Sequence, residues 1–194
     1  MHDAFAALLR QPTARRYKQL RRQLLASESL GDFSLCLAEV RAMLEGHDFA
    51  KAGTLLAGLL PAGLLSLSLH RLGGQIALEQ SDRERAELHR FTYDALSAAI
   101  LATGTGTRRR PLLITYSSDA GELLAGQGCD VLSQSLVEEN AQRFDVMLCG
   151  GEREFWFDVT DLLPQTAAAA IRKYRPKVGA KARLSRQAAN SLAF

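Results

Sequence analysis

A helical pattern runs through the first half of the chain and breaks at Thr103-Gly104-Thr105-Gly106-Thr107. Within Leu96 to Leu163 the apolar spacing then turns strand-like: Leu112-Leu113-Ile114-Thr115-Tyr116, Phe144 to Cys149, and Glu152 to Val159 read as short strands. Val131 to Val137 reads as another, with helix as the alternative. A change of period from about 3.6 to about 2 residues is the strongest constraint the chain offers. It predicts an α+β fold: antiparallel helical hairpins over residues 1–102, capped by a small, mainly antiparallel β-sheet over 103–175 that packs on them. Residues 176–194 form a basic tail.

Cap and stop residues divide the helical part. Asp3 opens a helix that runs to Arg10 and is ended by Pro12; Thr13 caps a second, with Tyr17, Leu20, Leu24 and Leu25 at helical spacing. Arg15, Arg16, Lys18, Arg21 and Arg22 surround that stripe, as a solvated face or as a surface for an acidic partner. Asp32 caps a third helix, stopped by Gly46, and Asp48 a fourth, Phe49 to Leu60, stopped before Pro61. A fifth, Leu64 to Glu79, starts almost free of polar residues and so belongs at the centre. Its Gly73-Gly74 weakens it by roughly 1 kcal/mol per glycine, a cost that close approach of a neighbouring helix would explain. Ser81 or Asp82 caps a sixth, which carries Leu88, Phe91, Tyr93, Leu96, Ile100 and Leu101.

Asp48 and Asp82 are separated by one tetratricopeptide period, thirty-four positions. Each is followed four positions later by alanine, Ala52 and Ala86. The rest of that pattern is mostly missing, so the match is degenerate and predicts helical hairpins stacked side by side, with true peptide-binding repeats as the alternative.

After the glycines, Arg108-Arg109-Arg110 makes a compact cationic turn, either a solvated loop or a clamp for phosphate or carboxylate. Ser117 or Ser118 caps a short helix, Asp119 to Ala125. Gly150-Gly151 suits a two-residue hairpin turn. That turn sets Val146 opposite Phe155 and Phe144 opposite Phe157 on one apolar face, with Asp145 opposite Trp156 on the other. Ala167 to Tyr174 reads as a last helix.

Composition narrows the setting. With 194 residues and 47% hydrophobic content the chain can bury a full core. No run approaches ~18 uncharged apolar residues and the start lacks a secretion signal, so the expectation is a cytoplasmic protein with no membrane span. Cys36, Cys129 and Cys149 fit reduced thiols. The net charge of +3 is segregated: residues 1–25 hold six Arg/Lys against one Asp, residues 26–164 eleven against twenty acids, and residues 165–194 seven against none.

The succession Ala99-Ile100-Leu101-Ala102-Thr103-Gly104-Thr105-Gly106-Thr107, Leu113-Ile114-Thr115, Gln134-Ser135-Leu136, Phe144-Asp145-Val146 and Phe155-Trp156-Phe157-Asp158-Val159 resembles a bacterial family of uncharacterised domains, the DUF4919 type. The similarity covers mainly residues 64–163. It implies a helical, tetratricopeptide-like N-terminal part followed by a small α/β part, and no established activity. The chain departs from the family pattern at Thr105, where an acid is usual, and at Asp119-Ala120, where Glu-Tyr is usual.

No motif commits the chain to a reaction. Gly104-Thr105-Gly106 lacks the third glycine of a dinucleotide loop and the Gly-Lys-Ser/Thr of a P-loop, which leaves it a cap-and-turn role. His2, His47, His70 and His89 are scattered singly, so neither a metal nor another cofactor is implied. Cys129 and Cys149 are nucleophile candidates with no histidine fixed beside them, no Gly-x-Ser-x-Gly elbow exists, and Glu138-Glu139 and Asp158/Asp161 are the paired carboxylates.

The expected function is therefore a non-catalytic protein-protein interaction module: an adaptor, or an immunity protein whose acidic surface covers a basic toxin. The alternative is a small-ligand-binding protein or enzyme with a pocket at the helix/sheet junction, near Arg108, Arg109, Arg110, Tyr116 and Trp156. A second alternative is nucleic-acid association through Arg172, Lys173, Tyr174, Arg175 and Lys177, which the acidic body disfavours. The oligomeric state is left open.

Overall fold

A computed structural model describes residues 2–26 and 33–162. The order of elements is α1 (His2–Arg10), α2 (Ala14–Leu25), α3 (Phe33–Glu45), α4 (Phe49–Gly63), α5 (Leu67–Glu79), α6 (Arg83–Leu101), β1 (Leu112–Leu113), α7 (Ser118–Gly126), β2 (Val131–Glu139), β3 (Gln142–Cys149) and β4 (Arg153–Asp158). The fold is α+β, with a helical N-terminal part and a four-stranded sheet in the order β1-β4-β3-β2. β1 pairs parallel with β4, and the other two pairings are antiparallel.

Local chemistry accounts for most helix starts. Thr13, Asp48, Ser66 and Asp82 each accept the backbone N–H three positions on, which satisfies a donor the helix leaves orphaned. Asp3 lies inside the first turn of α1, where its charge suits the helix dipole. Asp32 and the segment Ala167 to Arg186 lie outside the described residues.

The structure moves four expected boundaries. α4 runs through Pro61 to Gly63; Pro61 sits in the last turn and is exposed, and the carbonyl it leaves without a donor belongs to exposed Ala57. α5 starts at Leu67, because Ser66 takes an extended backbone and caps it. Only Leu112–Leu113 of the first β-rich run joins the sheet. Ile114 and Thr115 spend their polar groups on α2 instead: the Ile114 carbonyl accepts from Arg21 Nε at 2.8 Å, and Thr115 Oγ1 lies 2.8 Å from the Tyr17 hydroxyl. Finally, Ser117 makes no capping bond to α7.

The β3–β4 register also differs by one residue from the expected one. Val146 pairs with Trp156, Asp145 with Phe157, and Cys149 with Arg153. Gly150, Gly151 and Glu152 all belong to the turn, the last two at φ +75° and +59°. One extra turn residue sends every β4 side chain to the opposite face. Met147, Cys149, Phe155 and Phe157 consequently pack on the helical core, and Val137, Phe144, Val146 and Trp156 form a second apolar cluster.

The glycine break joins the two parts. A Cβ on Gly104 would sit 2.1 Å from the Pro111 carbonyl oxygen, and Gly106 takes φ +70°. The Gly106 carbonyl accepts the Trp156 N–H at 2.9 Å, so the loop is stitched to β4.

The faint repeat is regular in three dimensions. The start of α3 is offset from that of α5 by the same thirty-four positions that separate α4 from α6, and α3 and α5 have equal lengths. Their turns match bond for bond. His47 and Ser81 take φ +57° and +60°. Asp48 N–H donates to the Met43 carbonyl as Asp82 N–H does to Ala77, each at 2.8 Å. This is the left-handed helix stop that satisfies terminal carbonyls, followed at once by the aspartate that caps the next helix. The chain thus contains two equivalent hairpins, α3–α4 and α5–α6.

Candidate functional site

The second hairpin and α7 enclose a groove of about 570 Å³. Small residues, Gly74, Ala86, Ala125 and Gly126, make up part of its lining, and Leu78 lies among them with 63% of its surface exposed. Charged pairs of both signs stand on the rim: Arg71 with Glu122 at 2.5 Å and Arg90 with Glu87 at 2.6 Å. Tyr93 donates its hydroxyl to the Glu122 carbonyl at 3.1 Å, tying α6 to α7.

The equivalence of the two hairpins explains why a groove exists here. On the first, Leu37, Val40, Leu44, Ala52 and Leu56 are buried, each less than a tenth exposed, in the core that α5 completes. Their counterparts one period on are Arg71, Gly74, Leu78, Ala86 and Arg90, and all five line the groove. A face that carries the next hairpin in the first case is open in the second among the described residues. α7 covers only part of it.

A buried imidazole pair lies at the groove, and His70 is part of its lining. His70 Nδ1 and His89 Nδ1 are 3.1 Å apart, and His70 Nε2 is 3.1 Å from the Leu64 carbonyl. A carbonyl only accepts, so His70 carries its proton on Nε2 and His89 donates from Nδ1. Burial pushes the His70 imidazole down to about 4 and lowers that of His89. The His89 ring packs flat on Gly73, where a Cβ would come within 2.5 Å of it. This is the close helix approach expected for the glycine pair, and it applies to Gly73 alone.

A second buried group anchors α7. Asp119 is fully buried and accepts the Leu67 N–H at 2.9 Å at the start of α5, and its Oδ2 has no partner among the described residues. Burial pushes its carboxyl up to about 8. Asp145 is a milder case: burial raises it, and Gln134 Nε2 donates to it at 2.7 Å.

The residues singled out from sequence fall in separate places. Arg108 forms a forked ion pair with Glu139 and lies over the Trp156 ring at 5.8 Å. Arg108 and Arg109 line a small cavity of about 280 Å³ with Glu139, Asn140, Gln142 and Phe144. Trp156 is buried against Phe144, and Arg110 is exposed outside that cavity. Tyr116 is elsewhere: its ring lies 4.4 Å from that of Phe33 and its hydroxyl donates to the Ala62 carbonyl. Arg108 and Trp156 are therefore brought together, and Tyr116 shares no groove with them. Cys129 and Cys149 are both buried, and Arg153 Nη2 donates to Cys129 Sγ at 3.3 Å. Among the described residues no three His, Cys, Asp or Glu side chains cluster as a metal site would require, and no helix is long and apolar enough to cross a membrane.

No motif marks the groove, but the repeat carries a signal for it. Aligning the two hairpins one period apart sets Leu37 against Arg71 and Leu56 against Arg90, which marks the face where burial gives way to solvent. Comparison with known proteins adds no relative, since no family model, curated protein or solved structure matches the chain.

Proposed function

We propose that this protein is a non-catalytic interaction module that takes a segment of another protein into the groove between α5, α6 and α7. The observation that carries the reading is the open face of the second hairpin. An array of hairpins buries each such face under its neighbour, and a face left with small residues in its lining and Leu78 exposed is a surface for a partner. The acid excess of residues 26–164 favours a partner with basic flanks, in keeping with an adaptor or a toxin-neutralising protein. The DUF4919-type relationship belongs to the same proposal and is supported by the order of its motifs.

The test is site-specific photo-crosslinking in the native host. Crosslinkers at Gln75 and Leu78 are expected to trap a defined protein, and Gly74→Leu, which adds bulk to the lining, is expected to abolish the trapping. A crosslinker at Leu88, exposed on α6 outside the groove, serves as the control. Trapping that is the same at all three positions, or unchanged by Gly74→Leu, refutes the reading.

A further inference from the structure

The first hairpin shows what its outer face is built to hold. Arg41 Nη2 donates to Ser68 Oγ at 3.4 Å near the start of α5. Gly53 lies against Ile76 and Gln80 further along. Gln80 Nε2 donates to the Phe49 carbonyl at 3.0 Å, just past the end of α5. Moving these host residues one period along the chain gives Gln75, Glu87 and Arg83, and the first two line the groove.

We infer that the guest of the groove is an amphipathic α-helix of a partner protein, seated on α5 and α6 as α5 itself is seated on α3 and α4. This rests on the reading that the groove binds protein, and adds the conformation and register of what it binds. The groove runs from His70 to Leu78 on α5 and from Ala86 to Tyr93 on α6. Eight steps at about 1.5 Å make roughly 12 Å, a little over two helical turns. α7 stands at the Arg71 end, where Arg71 pairs with Glu122, and fixes where the guest stops.

The guest's contact strip follows from the strip that α5 uses. Ser68, Ile76 and Gln80 touch the first hairpin, and Leu72 falls between them at the same four-residue spacing. A matching helix presents residues of these kinds at the same four-residue spacing, and roughly 12 Å of groove takes three of them, the two branched aliphatics and one polar neighbour. Its flanks are polar, because Arg71, Glu87 and Arg90 replace Leu37, Gly53 and Leu56 around the seat. Those replacements also make the guest exchangeable. A permanent core element needs the apolar rim of the first hairpin, and a reversible partner tolerates a rim of solvated ion pairs.

The experiment uses the full chain and a labelled, hydrocarbon-stapled peptide of residues 66–80 with Gly73→Ala and Gly74→Ala, read by fluorescence anisotropy. Saturable binding in the micromolar range is expected. Ile76→Asp in the stapled peptide, an unstapled peptide with Gly73→Pro, and Gly74→Leu in the protein are each expected to weaken it roughly tenfold or more. Circular dichroism melting of the Gly74→Leu protein confirms that its helices remain. Absence of binding up to ~100 µM, equal binding of the proline peptide, or indifference to Gly74→Leu overturns the inference. If the crosslinks at Gln75 and Leu78 still form, the interaction reading survives and only the helical guest is lost; if they also fail, both fall.

Discussion

Replacing Asp119 by asparagine removes a pH dependence that wild type carries into the neutral range. In the folded protein the Asp119 carboxyl is fully buried, one oxygen is unpartnered, and burial moves it from 3.8 up to about 8. A group raised in the folded state holds its proton there while the unfolded chain gives it up. Its contribution to stability is complete below the unfolded value and is lost as pH rises toward the folded one. Between these two values the loss runs at about 1.4 kcal/mol per pH unit, and sums to on the order of 5 kcal/mol. The asparagine side chain retains an oxygen for the Leu67 N–H and has no proton to lose. Urea unfolding of wild type and Asp119→Asn, followed by circular dichroism from about pH 4 to pH 8, gives the difference between their stabilities, in which all other groups cancel. That difference is expected to fall steadily with rising pH. A flat difference curve refutes the argument, because it means that Asp119 titrates in the folded protein as it does in the unfolded chain.

Two further substitutions test the packing at the groove. His70 moves in the opposite sense, from 6.5 down to about 4, so its own contribution to stability is lost as pH falls through that window, on the order of 3 kcal/mol in all, against the Asp119 trend. The groups facing it are His89 and the Leu64 carbonyl, with Arg85 acting on His89. The stability difference between wild type and His70→Asn should therefore fall as pH drops from about 6.5 to about 4, and a flat difference assigns the acid sensitivity elsewhere. The neighbouring glycines are expected to differ in sign. Gly73→Ala puts a methyl 2.5 Å from the His89 ring and costs about 2 kcal/mol or more, whereas the nearest atom to a Cβ on Gly74 is 3.6 Å away, so Gly74→Ala gains up to about 1 kcal/mol. Equal effects on thermal unfolding would contradict the close approach at Gly73.

Much of the fold was legible because its signals are local. Thr13, Asp48 and Asp82 cap the helices that follow them, Gly104 and Gly106 make the junction, and the hairpin strands lie where the alternating residues put them. The β3–β4 register was not legible, since it turned on whether Glu152 adopts a left-handed backbone, a choice worth less than the packing of the two sheet faces it sets. Tyr116 and Trp156 both read as available aromatics, yet each is buried, and they are in different parts of the molecule. Arg21 read as part of a solvated face, and it is 2% exposed with its guanidinium on the Ile114 carbonyl and on Asp161.

The change from helical to strand-like period, the thirty-four-residue spacing and the capping residues that make that spacing a repeat are written in the chain alone. These depend on hydrogen bonds and dihedral angles within a short stretch, which the chain encodes in place. Only the tertiary structure decided which faces are covered. Leu44 and Leu78 occupy the same position in the two hairpins; Leu44 is 8% exposed beside the next hairpin, and Leu78 is 63% exposed at the end of the stack. Burial is a property of neighbours far along the chain, so the groove appears only when α7 is seen to cover just part of the second hairpin's outer face among the described residues.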